Sequence, residues 1–183
     1  MKRIMLSAVL SVAAMFALSA QSFNDPDKWF AFDDKANGGS SAITKATSME
    51  TVGGKEVVAV AVTGSVTTKY QYGFIGFGAD PSPETLAFMK TAKGIRFQAV
   101  GDGKKYRVKI GTSVITDYDD YGFVFTAPAG KPVTVTVPYT SLTQEGWGAK
   151  KKFDPTKITK IQFQTVGQPI PSVSVKVIGL EAY

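Results

Sequence analysis

From Glu56 to Tyr183 apolar and polar residues alternate with period two in short runs. This pattern constrains the fold more than any other feature of the chain, because successive side chains of a strand point to opposite faces. In "KIQFQTV", Ile161 and Phe163 share one face, and Gln162 and Gln164 share the other. In "YGFVF", Tyr121, Phe123 and Phe125 fall together, and "KYQYGF" aligns Tyr70, Tyr72 and Phe74. The pattern predicts strands near 56–63, 68–75, 94–100, 105–111, 121–126, 132–137, 158–165 and 172–182, each bounded by Gly, Pro, Asp or Ser. Helical periodicity is confined to 83–91, "PETLAFMKT", with Pro in its first turn. Many short strands and one short helix predict an all-β fold, a β-sandwich of jelly-roll type. Neither a repeat nor a low-complexity linker interrupts it, so 21–183 reads as a single domain.

Residues 1–20 read as a separate segment. Lys2 and Arg3 precede an apolar run, "IMLSAVLSVAAMFAL", that is short for a membrane span, and "ALSA" supplies small residues for cleavage near Ala20. This is the pattern of a bacterial signal peptide. It predicts a periplasmic or secreted protein with no membrane span after cleavage.

The chain has no Cys and no His. That excludes disulfides, thiol nucleophiles, Cys-ligated zinc and the commonest general base. The net charge of +6 falls further when Lys2 and Arg3 leave with the leader. So modest a charge lacks the dense basic stripe of a nucleic-acid-binding protein. The run Lys150-Lys151-Lys152 reads as a solvated loop. Carboxylates are then the acid–base groups that remain, in Asp33-Asp34 and in Asp117-Tyr118-Asp119-Asp120. A glycosidase sets two carboxyls roughly 5–9.5 Å apart across a cleft. Adjacent acids in turns serve more simply as turn formers, and a non-catalytic protein is the expectation.

The stretch "GIRFQAVGDGKKYRVKIGTS" (94–113) carries the main functional signal. Asp102-Gly103 suits a two-residue type I′ turn, in which both residues take positive φ. That register sets Ala99 against Tyr106 and Phe97 against Val108 as core pairs. On the other face it sets Gln98 against Arg107 and Arg96 against Lys109. Like charges across a ladder are destabilising. A carboxylate, an anion, solvent or a bound partner must therefore offset them.

"WFAFDDKANGGSS" (29–41) resembles the Trp, acidic, Gly-Gly-Ser segment near the start of complex I intermediate-associated protein 30 (CIA30) domains. The 94–113 stretch, "PVTVTVPYTSL" (132–142), "KITKIQFQTVG" and "VSVKVIGLEAY" are similar to later segments of that family. The resemblance implies a galactose-binding-like jelly roll, the fold that also houses family 11 carbohydrate-binding modules, which bind β-glucans on a concave sheet. It also implies that Arg96, Gln98, Arg107, Lys109, Gln162 and Gln164 line one concave surface, with Tyr70, Tyr118 and Trp147 at its rim. Amide and guanidinium groups suit sugar hydroxyls. The expected partner is a polysaccharide or a periplasmic protein, and the alternative role is a structural or assembly subunit of the envelope or a flagellar sheath. No cofactor is required. Modules of this fold often hold a structural calcium ion near the chain ends, and Asp25, Asp27 and Glu181 are the ligands this implies.

Overall fold

The alternating runs fold as strands wherever one side of the run is apolar enough to be buried. The computed structural model describes residues 23–183, so the leader expected at 1–20 lies outside the described residues. Two antiparallel five-stranded sheets face each other. In the first lie β2 (Ala42–Val52), β3 (Lys55–Val66), β10 (Ile170–Ala182), β5 (Gly94–Gly101) and β8 (Val133–Pro138), in that spatial order. The second runs β1 (Trp29–Asp33), β4 (Ile75–Ala79), β9 (Ile158–Thr165), β6 (Lys105–Thr112), β7 (Tyr121–Thr126). The helix α1 (Pro83–Met89) is capped by Ser82, whose side chain accepts from the Thr85 N–H. The fold is the expected jelly-roll sandwich.

Between the sheets, Phe77 stacks on Phe163 with centroids 5.0 Å apart, and Phe97 meets Phe163 edge-on at 5.1 Å. Trp29 stacks against Phe163 from the outermost strand. Such aromatic pairs add about 0.5–1.5 kcal/mol each beyond the area they bury. Phe23, the first described residue, lies against the last strand: its N–H donates to the Leu180 carbonyl, while Tyr183 exchanges hydrogen bonds with Lys93 and Gly94.

Three expectations are corrected here. The Gly-Asp-Gly segment is not a hairpin. β5 pairs with β8 and β10, whereas β6 pairs with β7 and β9 in the opposite sheet. Gly103 has φ +79°, but Tyr118 is the one non-glycine residue with positive φ among the described residues, so Asp102 does not adopt the type I′ geometry. The segment is an arch that crosses the sandwich. Phe97, Ala99, Tyr106 and Val108 are buried as expected, but they meet from opposite layers. Arg96 consequently lies opposite Glu181 and not Lys109.

The second correction concerns 68–75. Only Ile75 belongs to a strand, and 67–74 is a loop, with its Gly73 N–H bound by the Gln168 side chain and its Phe74 N–H by Asp34. The third is the pair β1 and β2, which the alternation does not reveal. β1 is aromatic on both faces, and the edge strand β2 mixes Ala, Thr, Ser and Lys along its length.

Candidate functional site

The outer face of the second sheet gathers most of the polar residues singled out from sequence. Cross-strand register sets Phe30, Gly78, Gln162, Lys109 and Gly122 in one row across its five strands. The next row is Phe32, Gly76, Gln164, Arg107 and Val124. Arg96 and Gln98 lie in the other sheet, so the surface expected to hold six residues holds four of them.

Glycine shapes this face. A Cβ at Gly78 would lie 2.8 Å from the Phe30 ring, and one at Gly76 would strike the Phe32 ring. Arg107 crosses Gly122 in the same way, and the Lys160 stem crosses Gly111. Each missing side chain lets a neighbour lie flat, which leaves a low floor of two phenyl rings, two amides and two cationic stems. Phe30 and Phe32 are only half-buried, with centroids 6.1 Å apart. They form the aromatic platform absent from the sequence reading. The signal that would have found them is Gly76 and Gly78, which in an otherwise regular strand mark a close approach by another group.

The cations on the floor have partners. Arg107 is 8% exposed; it donates to the Thr143 carbonyl and lies 3.6 Å from Glu145. This corrects the picture of Arg107 as a free surface residue, and its partners are not Asp117 or Asp119. Lys109 donates to the Tyr118 carbonyl at 3.1 Å and shares Asp120 with Lys160, at 3.9 and 3.6 Å. Burial pushes the Lys109 ammonium below its ordinary value, and Asp120 and Glu145 oppose that shift. Gln162 and Gln164 differ: both are half-buried, and neither side chain makes a hydrogen bond among the described residues. Two unengaged amides beside two phenyl rings can take hydroxyls while apolar ring faces stack.

Two aromatic rims flank the floor. The 67–74 loop carries Tyr70 and the exposed Tyr72, in edge contact at 5.8 Å. At the β7 side, Tyr118 and Trp147 are 74% and 59% exposed. Their loops are tied together by the acids once weighed for catalysis. The Asp119 carboxylate accepts from the N–H groups of Glu145, Gly146 and Gly148, and Asp117 accepts from those of Asp119 and Ala149. These bonds, the Ala149 N–H foremost, hold the Asp117 carboxyl below its ordinary value. Asp34 is fully buried and accepts from the Ser41 N–H and hydroxyl and from the Phe74 N–H, while Asp33 pairs with Lys35.

Asp25, Asp27 and Glu181 do not converge. Asp25 accepts from the Asp27 N–H, Glu181 pairs with Arg96, and among the described residues no three acids form a group able to hold a metal ion. Asp25 does line a cavity of about 250 Å³ with Trp29, Asp80 and Thr85.

Residues 16–176 match the model of the complex I intermediate-associated protein 30 (CIA30) family. The chain belongs to the CIA30 family. No curated protein sequence matches it. Solved structures place this CIA30 domain's fold beside carbohydrate-binding modules. It is similar to the family 11 module of the cellulosomal cellulase Lic26A-Cel5E of Clostridium thermocellum, with TM-score 0.60, 15% identity, and 91% of this chain and 96% of that one covered. It is also similar to a Clostridium thermocellum family 11 module in complex with a β-1,3-1,4-mixed-linked tetrasaccharide, with TM-score 0.55, 16% identity, and 84% and 88% covered. At such identity the likeness is one of fold, the galactose-binding-like jelly roll. Within it, this CIA30 domain sets its two phenyl rings and two free amides in adjacent rows of one sheet.

Proposed function

We propose that the protein is an exported, non-catalytic module that binds a polysaccharide across the outer face of the second sheet. The observation that carries this reading is the juxtaposition of Phe30 and Phe32, flat over glycines, with the unengaged amides of Gln162 and Gln164. From β1 to β7 the face spans four strand spacings, about 19 Å. That length suits an oligosaccharide segment lying across the strands better than a single sugar. The kinship in fold with carbohydrate-binding modules supports the class of ligand. The acids support a binding role over a catalytic one, since Asp33, Asp34, Asp117, Asp119 and Asp120 each hold a backbone N–H, a hydroxyl or a lysine.

A glycan array probed with the protein, followed by titration of the best ligand, tests the reading. Gln162→Ala and Phe32→Ala should each weaken binding by about 1–3 kcal/mol, the size of a lost hydrogen bond to a buried partner or of a lost stacking contact. The circular dichroism of both variants should match that of the parent. Absence of binding to every glycan, or variants that bind as the parent does, would refute the proposal.

A further inference from the structure

We infer that the polysaccharide is acidic, and that its charged groups are read at the β7 rim by Lys150, Lys151 and Lys152 beside Trp147 and Tyr118. This rests on the reading above and adds the ligand's charge. The floor itself is close to balanced, because Arg107 lies beside Glu145 and Lys109 and Lys160 share Asp120. Past the rim the balance changes. Lys150, Lys151 and Lys152 are exposed and form no ion pair among the described residues. The nearby aspartates are turned inward: Asp119 is 1% exposed and Asp120 4%, and Asp117 is engaged by two backbone N–H groups. Their negative charge is directed at the loop's own backbone, while the lysines keep theirs toward solvent.

The same bonds hold the lysines in place relative to the aromatic pair. The Ala149 N–H, next to Lys150, donates to Asp117, and the Lys151 N–H donates to the Gln144 side chain at 2.8 Å. Gln144 in turn donates to the carbonyls of Asp119 and Ala149. Trp147 and Tyr118 are thus presented from one stapled pair of loops that runs on into the three lysines, and the Trp147 indole N–H donates to Glu145 at 3.3 Å. On the floor's other side Lys105 continues the Arg107 side of β6, exposed and also without an ion pair among the described residues. The exposed Asp80 follows β4, three strands away from β7. A polymer that stacks on the phenyl rings and continues over the rim therefore meets an excess of positive charge, since the three lysines outnumber the exposed Glu145 and the partly exposed Asp154 beside them. Carboxylate-bearing sugars match it.

The test is titration of the protein with two probes, a polyuronate and a neutral mixed-linkage β-glucan, at low and at physiological salt. The polyuronate should bind more tightly, and its advantage should shrink as salt rises. The triple variant Lys150→Gln, Lys151→Gln, Lys152→Gln should lose roughly tenfold or more in affinity for the polyuronate. It should bind the neutral glucan as the parent does. Equal binding of both probes by parent and variant would overturn the charge inference and leave the glycan reading standing. Polyuronate binding that ignores Phe32→Ala would mean ionic adsorption, and overturn both. Capture on vesicles rich in anionic phospholipid, with no polyuronate binding, would assign the rim to a bilayer and overturn the inference.

Discussion

Asp102 does more than sit at the centre of a turn. Its carboxylate accepts from the Tyr106 hydroxyl at 2.9 Å, the Ser174 N–H at 3.0 Å and the Lys104 N–H, and it pairs with the Lys104 ammonium. One side chain thereby fastens the crossing between the sheets to β10. Burial works against its charge, but these donors prevail and hold the carboxyl below its ordinary value. The folded pKa is lower than the unfolded one, so the stabilisation is present above the unfolded value of about 3.9 and is lost as pH falls through the folded value. Asp102→Asn should lower stability at pH 7 by about 1–3 kcal/mol. The gap between variant and parent should close as pH falls below about 4, which urea denaturation over a pH series will register. A gap that stays constant down to pH 2 would mean that the carboxylate's charge plays no part. Arg107→Ala should cost about 1.5–3 kcal/mol of stability, as expected when a charged hydrogen bond inside the fold is removed; thermal unfolding measures this.

At the scale of elements, legibility follows burial. β5, β6 and β9 are readable to within a residue because each has one apolar face against the core and polar residues outside, and β7 because Tyr121, Phe123 and Phe125 recur on one face. β1 was hidden because Phe30 and Phe32 make its outer face apolar as well, and the platform was missed with it. The pairing of β5 with β6 was misread for a different reason. Period two assigns a residue to a face, but it does not say whether the next strand continues the same sheet or crosses to the other. Both arrangements bury Phe97 and Val108. What decides is the backbone at Asp102 and its bonds to Ser174, a contact distant in sequence that local pattern cannot reveal. The 143–151 loop was legible only as polar sequence. Its order comes from Asp119, whose three N–H donors are all remote from it in sequence. Asp119→Ala should therefore loosen the loop without unfolding the sandwich. Hydrogen exchange at the 145–149 amides should accelerate while the amides of β6 and β9 stay protected.

Over the whole molecule, the core and the face are separate systems. Phe97 of the first sheet meets Phe125 and Phe163 of the second edge-on and joins the sheets from inside, and the floor outside can change without touching these rings. A ligand bound to the native state alone should then raise the stability with the logarithm of its concentration, by about 2.7 kcal/mol at one hundred times its dissociation constant, and the melting temperature with it. Gln162→Ala should keep the unliganded stability within about 0.5 kcal/mol of the parent and lose most of the ligand-induced rise. Calcium at millimolar concentration, compared with excess chelator, should leave the melting temperature unchanged, since no three acids converge among the described residues. A calcium-dependent rise would point to ligands outside the described residues.

The glycines beneath the floor carry a consequence for how this surface varies among descendants of the chain. A phenyl ring at 32 fits only while 76 has no side chain, and the guanidinium at 107 fits only while 122 has none. The glycine of each couple cannot gain a side chain even when its partner shrinks, because the Phe163 carbonyl at 76 and the Val108 carbonyl at 122 also stand within 3 Å of the new Cβ. Changes in ligand preference at the centre of the face should therefore arise by replacing Phe32 or Arg107 while Gly76 and Gly122 stay fixed. In the loops at 118 and 147 Gly148 is held in the same way by Asp117 and Asp119, but the Tyr118 and Trp147 rings project into solvent, and drift in specificity should begin at those two side chains.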